Sequence, residues 1–512
     1  MHLPSPTSLF PRAWRPRRRG LASVHAEVRD GIVPAASDLA RTEDHGGGVA
    51  SAANYRTIAL IVACALFMEF LDATVLATAL PTMARDFGVG APQMSIALTS
   101  YLLALAIFIP ASGSLADLFG SRAVFGGAIG LFVCGSIACG FAPRLEILVA
   151  ARFVQGIGGA MMIPVGRLVL LRSVAKRDMV SAMSWLLVPA LIGPVLGPPL
   201  GGFIVTYLDW RWIFWINLPV GIAGIVLVAL FLPDVREAHP HAFDGRGFLL
   251  SGVSLGCLLF GFEMASRQGE GGVALALVLI GAATGILYLR HARRHMHPIL
   301  DPTLMRVPTF RLSVLGGSLT RITQGAHPFL LPLMMQLGFG FSAAQSGMIT
   351  VATAIGSLGM KSAAVRILRA FGFRRGLVVM GMLGTAGYAV CGLFRPGWPV
   401  PAIFAVLVAC GFVMSFQFTA YNTIAYDEVE PKRMSQATAF YSTFQQLMLS
   451  LGICVAAIVL HLSMRLRGHA LPAFADFTAA FWTVTAISAT AILVNLRFGA
   501  DDGAEISGHA RG

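Results

Sequence analysis

The chain has 512 residues, 56% of them hydrophobic and only 12% charged, with a mean hydropathy of +0.73. A soluble domain carries about 25% charged residues, so a chain made chiefly of soluble domains is excluded. The formal net charge of +13 is not a nucleic-acid signature here, because the basic residues lie in the first 50 positions and between apolar runs, as in the cytosolic linkers of membrane proteins.

Residues 1–56 differ from everything that follows. They hold the basic stretch PRAWRPRRRG from Pro11 to Gly20 and a glycine run from Gly46 to Gly48. No apolar stretch leads to a small-residue cleavage site, so this is read as a disordered cytosolic tail and not as a signal peptide. Apolar runs then fall at 57–80, 94–113, 123–142, 146–170, 180–206, 212–232, 246–265, 272–289, 311–336, 343–365, 375–394, 399–425, 436–462 and 477–497. Each could form a helix of about 20 residues, enough to cross about 30 Å of hydrocarbon. The short alternating segments of a membrane β-barrel are absent. The expected fold class is all-α and polytopic, with about fourteen spans.

With the N-terminus inside, the inner linkers hold Arg122, Arg172, Lys176, Arg177, Arg290, Arg293, Arg294, Arg366, Arg369, Arg374, Arg375, Lys432 and Arg433, among others. The outer linkers hold about half as many basic residues, which predicts cytosolic termini. Trp210, Trp212, Phe214 and Trp215 read as an aromatic belt at the outer interface. The seven cysteines all lie in apolar runs with no CxxC pair, and read as small packing residues.

The sequence repeats itself. Leu80-Pro81-Thr82-Met83 ends the first run, and Leu331-Pro332-Leu333-Met334 ends the ninth. Phe119-Gly120-Ser121-Arg122 follows the second, and Phe371-Gly372-Phe373-Arg374 follows the tenth. Two matches in the same order and at nearly equal spacing predict a duplicated unit, with a site at the interface of the halves. The domains expected are a first six-helix bundle at 57–232, a linker with two inserted helices at 233–310, a second bundle at 311–497 and a cytosolic tail at 498–512.

Four features carry the chemistry. In the loop after the second run, Gly113 and Gly120 permit a tight turn, Asp117 can cap a neighbouring helix end, and Arg122 can pair with an acid across an interface. Glu69 and Asp72 share one helix face in the first run. Asp72 and Arg152 lie at similar depth, about 9–14 Å below the outer surface at 1.5 Å per residue. Charges so deep are costly and normally face protein or a water-filled cavity. They read as a protonatable acid against a fixed cation, with a structural ion pair as the alternative. Arg321, Gln324 and His327 recur at helical spacing and read as polar cavity lining or as packing. Glu263, in an inserted helix, is assigned no coupling role.

Three signals are set aside. Gly252-Val-Ser254-Leu-Gly256 matches a hydrolase nucleophile elbow but lies in a membrane helix with no preceding strand. His291, His295 and His297 read as a solvated linker, so no metal is expected. No Gly-Lys pair exists for a Walker A loop, so no ATP cofactor is expected.

These motifs together resemble the major facilitator superfamily, and within it the fourteen-span drug:proton antiporter family. The Gly113–Arg122 loop is similar to the superfamily's signature loop. Leu71-Asp72-Ala-Thr74-Val75 through Ala79-Leu80-Pro81 resembles the first-helix motif, and Arg152, Gln155, Gly156, Gly158 and Gly159 the fourth-helix motif. Gly193, Gly197-Pro198 and Gly201-Gly202 resemble the antiporter motif of the fifth helix, and Trp210–Phe214 with Asn217 the start of the sixth. Leu118 and Ser121 replace the usual basic residues of the signature loop, Ala77 stands where the first-helix motif has Asn, and Ser184 takes the first glycine position of the antiporter motif.

The resemblance implies proton-coupled export of small amphipathic molecules by alternating access, with Gln155, Arg321, Gln324 and His327 toward the cavity. A transporter of one polar metabolite is the alternative. It further implies a monomer in a bacterial cytoplasmic membrane, whose partners are a small-molecule substrate, protons and lipid, and not nucleic acid. No enzymatic activity is expected.

Overall fold

The computed structural model describes residues 52–174, 179–234, 242–265 and 270–507. The tail up to residue 51, Lys176 and Arg177 lie outside the described residues, as does the side chain of Ser184.

Apolar composition and helix-sized spacing produce fourteen long helical segments among the described residues. The first six are α1 (Ala52–Phe87), α2 (Ser95–Phe119), α3 (Ser121–Gly140), α4 (Leu145–Ser173), α5 (Met179–Tyr207) and α6 (Trp212–Phe231). The next two, α7 (Gly245–Ala265) and α8 (Gly271–Ala292), form a hairpin. Then come α9 (Pro308–Leu333) and one 49-residue helix, Ala343–Cys391. That helix is broken at Gly372, where φ is 68° and ψ 178°, so residues 343–371 and 373–391 are two arms, α10 and α11. The chain ends in α12 (Val400–Ile424), α13 (Met434–Arg467) and α14 (Phe474–Asn495).

This is the expected all-α fold: two six-helix bundles, α1–α6 and α9–α14, with α7 and α8 inserted. The repeat has a backbone counterpart. Gly120, between α2 and α3, and Gly372, between α10 and α11, both hold positive φ, 89° and 68°. A side chain is strained in that region and glycine is not, which explains why both copies carry glycine there.

The ends of the bundles depart from the expected boundaries. Helix α1 starts at Ala52, where Tyr55 is buried and bonds Ser181 at 3.3 Å. Beyond α14, Phe498 is buried and the Gly503 amide donates to Asp427 at 3.0 Å, so residues 498–504 pack onto the second bundle. The aromatic belt is only part belt. Trp212 is exposed, but Trp210 and Phe214 are buried. Trp210 stacks edge-on to Phe87 at 5.5 Å and donates to Asp86 at 2.9 Å, because the α5–α6 connection folds back over the end of α1.

The bundles meet along three seams toward the end of α1 that carries Pro81. Gln336 donates to the Thr78 carbonyl at 2.9 Å. The Ala344 amide donates to Thr206 at 3.0 Å, joining α10 to α5. Ser450 of α13 donates to the Thr99 carbonyl of α2 at 3.4 Å.

Candidate functional site

Asp72 of α1 is the centre of a network of five side chains from four helices. Arg152 of α4 pairs with its Oδ2, while Gln155 of α4 and Asn217 of α6 each donate to Oδ1 at 2.9 Å. Ser136 of α3 accepts from Gln155 at 2.8 Å and from Asn217 at 3.2 Å. Arg152 also donates to Gln155 at 2.6 Å and to the Ala97 carbonyl at 3.3 Å, and lies over the Tyr101 ring at 4.4 Å. Asp72, Arg152, Gln155 and Asn217 are all buried. A carboxylate in this position is neutralised by the guanidinium and held by two amides, which is how a deep charge becomes tolerable. A proton on Asp72 would cancel the charge that Arg152 balances and turn one of its two oxygens into a donor, so the hydrogen bonds at that oxygen would have to rearrange.

Small residues make the network possible. An added Cβ on Gly156 would lie 2.7 Å from the Tyr101 carbonyl, and on Gly158 2.6 Å from the Ala128 carbonyl. Helix α4 therefore reaches α2 and α3 at backbone distance, and its polar groups reach Asp72. Glu69 is also buried, one turn away, and its Oε2 has no hydrogen-bond partner among the described residues.

A cavity of about 250 Å³ lies between the bundles, against α1, α5, α9 and α10. Its wall includes Ala77, Pro194, Pro198, Leu331, Leu358 and Met414, with Thr74, Thr78, Thr350, Thr353 and Ser357 as polar points. His327 and Lys361 also line it, and no carboxylate is among the lining residues. Both ring nitrogens of His327 are without a hydrogen-bond partner among the described residues, and the ring sits edge-on to Tyr388 at 5.4 Å. Ala77, where the resembling motif has Asn, contributes a methyl to this wall.

Of the four expected lining residues, only His327 reaches the cavity. Gln155 belongs to the Asp72 network. Arg321 is buried inside the second bundle, over the rings of Tyr441 (5.2 Å) and Phe418 (5.5 Å), and Gln324 is buried as well. Helical spacing spreads Arg321, Gln324 and His327 over about 120° of α9 and does not say which neighbour each one meets. Asn217, Ser136 and Lys361 were not singled out as site residues. Asn217 stood inside a motif, and an isolated lysine within an apolar run was the available signal for Lys361.

The antiporter-motif glycines are close-approach points. A Cβ on Gly193 would lie 3.0 Å from the Phe67 carbonyl, and on Gly201 2.6 Å from the Val75 carbonyl, both on α1. Gly197 faces Thr74 of α1 so closely that no Cβ fits beside its hydroxyl. Gly202 instead faces the other bundle, 2.3 Å from the Ala343 carbonyl by the same measure. Pro198 approaches α10, since a Cβ on Gly347 would meet its carbonyl at 2.1 Å.

In the signature-like loop, Gly113 is spacious, Gly120 makes the turn, and Asp117 pairs with Arg172 of α4 at 3.2 Å. Arg122 is exposed. The Asp117 pair therefore joins α2 to α4 inside the first bundle. In the histidine linker His295 and His297 are exposed, as a solvated segment would be, while His291 lies in the last turn of α8 and is partly buried. Asp244, buried before α7, holds the Gly247 amide at 2.9 Å and His291 at 2.7 Å. Asp244, His291 and His295 bring ligand-type atoms within 4.8 Å of one another, but the Asp244 Oδ1 is already engaged by Gly247 and His291.

Comparison with known proteins agrees with this architecture. Residues 62–289 and 313–510 match the Major Facilitator Superfamily. A relative from Serratia proteamaculans, named as a multidrug resistance protein, MdtD, is 38% identical over 404 residues, covering 78% of this chain and 84% of the relative. The MdtD of Escherichia coli O6:H1 is likewise 38% identical over 406 residues, covering 78% and 85%. Among solved structures, a D-xylose–proton symporter superposes with a TM-score of 0.62 at 15% identity, covering 86% of this chain and 97% of that one. The nucleoside transporter NupG gives 0.60 at 14% identity, with 86% and 100% covered; at such identities the likeness concerns the fold alone. The chain is a multi-pass membrane transporter of small molecules and belongs to the major facilitator superfamily.

Proposed function

We propose that this transporter exports small amphipathic molecules by proton antiport, its two bundles alternating in access to a central site. The observation that carries the reading is the pairing of an inter-bundle cavity, closed toward the Pro81 end, with a buried Asp72–Arg152 network beside it. The basic-linker asymmetry supports cytosolic termini, which makes the Pro81 end the outer one and this conformation inward-facing. A mainly apolar wall with scattered hydroxyls supports amphipathic substrates over a single polar metabolite, which would need several fixed polar contacts. Lys361, His327 and the lack of lining carboxylates favour neutral or anionic substrates over cations. The relatives' multidrug resistance name supports drugs or toxic metabolites. The site is expected to work within one monomer in a bacterial cytoplasmic membrane.

Asp72 is the proposed proton carrier. Arg152 keeps its proton at any working pH and can act only as counter-charge. Because Asp72 does not line the cavity, substrate acts on it indirectly, through α1, whose Thr74, Ala77 and Thr78 form part of the wall, and not by direct competition. Glu69 is the fallback carrier. The test is substrate-induced proton release from purified protein, wild type against Asp72→Asn and Glu69→Gln. Asp72→Asn should fold, since Asn can still accept from Arg152, yet release no proton and lose uphill transport. Undiminished release from the Asp72 variant would place the proton elsewhere.

A further inference from the structure

The inserted hairpin is mostly exposed: only 28% of an 18-residue apolar stretch of α7 and 17% of one of α8 is buried. Its acid Glu263 is among the few buried residues of α7, at 4% exposure. Ser95, the first residue of α2, donates to its Oε1 at 3.0 Å, and the Cys454 thiol of α13 donates to its Oε2 at 3.4 Å. One carboxyl group thus gives one oxygen to each bundle. One turn further along the same two helices, Ser450 and the Thr99 carbonyl join α13 to α2 directly. Leu259 of α7 packs with Leu103 of α2 and Cys454 in a buried apolar cluster at this seam.

We infer that Glu263 is a latch through which the inserted hairpin holds the two bundles together at the Pro81 end. A carboxyl group inside a membrane span is costly and is not needed to form α7. Ser95 and Cys454 sit on helices that must separate if this end is to open. Opening breaks at least one of these two hydrogen bonds in a poorly solvated seam, so the latch favours the closed arrangement. Glu263 is here a positioning residue, not a proton carrier. The inference rests on the alternating-access reading.

The experiment measures the distance between spin labels at Arg85, at the end of α1, and Leu466, at the end of α13, in purified full-length protein in lipid nanodiscs. The other native cysteines are removed and Cys454→Ser keeps a donor to Glu263. The wild type should give mainly the short, closed distance. Glu263→Ala should raise the ratio of open to closed on the order of ten-fold, while Glu263→Gln, which can still bond both partners, should stay close to wild type. If Glu263→Ala fails to fold, Ser95→Ala and Cys454→Ala each remove one arm of the latch and should give smaller shifts in the same direction. Gly202→Ala, which clashes across the α5–α10 seam, is the control. If it opens this end and the Glu263, Ser95 and Cys454 variants do not, the latch is wrong and alternating access stands. If no variant moves the distribution, alternating access fails and the latch fails with it.

Discussion

Gly202→Ala separates a bundle-to-bundle contact from packing within one bundle. The new methyl would sit 2.3 Å from the Ala343 carbonyl oxygen and 2.9 Å from the Ala344 Cα. An ordinary C···O contact is about 3.3–3.6 Å, so α5 and α10 must move apart by about 1 Å. Overpacking of this kind costs about 1–3 kcal/mol, and here the cost falls only on the conformation in which the Pro81 end is closed. A difference of that size shifts a two-state ratio by about 5–150-fold. Gly201→Ala, one residue away, meets the Val75 carbonyl at 2.6 Å inside the first bundle, in both conformations. It should lower thermal stability by a similar amount and leave the ratio alone. The assay is labelling of Ser357→Cys, in the cavity wall, by a membrane-impermeant thiol reagent from each side, together with Tm. Gly202→Ala should raise labelling from the Pro81 side. Equal labelling in both variants, or a shift with Gly201→Ala alone, would refute the argument.

Further outcomes follow from other parts of the molecule. Asp117→Asn removes a partly exposed ion pair with Arg172, worth at most about 1 kcal/mol in stability; we propose that the loop of Gly113, Asp117, Gly120 and Arg122 is an inner gate that stabilises the outward-facing state, so the variant should still change cysteine accessibility from the two sides, and unchanged accessibility with normal transport would rule the gate out. At Asp244, burial pushes the carboxyl up, but the Gly247 amide, His291 and the Ile299 amide outweigh it and hold it below its usual value. Its contribution is therefore present above the unfolded value of about 3.9 and lost as pH falls through the lowered folded value. Asp244→Asn keeps an acceptor but loses the charge that strengthens its hydrogen bonds, so it should lower Tm near neutral pH by the equivalent of about 1 kcal/mol and converge with wild type in acid; an equal gap at all pH values would show that the carboxylate charge is not involved. A reporter active only in the cytosol, fused after Gly512, should be active; an expressed but inactive fusion would reverse the topology and with it the assignment of the Pro81 end as outer.

The sequence by itself determined the fold class, the number of spans, the duplication and the common depth of Asp72 and Arg152, which are buried as a pair. These rest on local quantities: hydropathy over a helix length, glycine where φ is positive, and the cost of charge in a membrane span. Tertiary structure decided who meets whom. Arg321 and His327 stand six residues apart on α9, about 120° apart around it; one is enclosed by Tyr441 and Phe418 while the other lines the cavity. Asp117 meets Arg172 and not a partner of the other bundle. Gly201 and Gly202 are neighbours in one motif, but one packs on α1 and the other on α10. Glu263, set aside in the sequence as a stray charge on an inserted helix, joins α2 and α13. The reason is common to all four. The helical period fixes the direction of a side chain on its own helix, but its partner is set by how helices distant in sequence are packed together, and no local pattern carries that information.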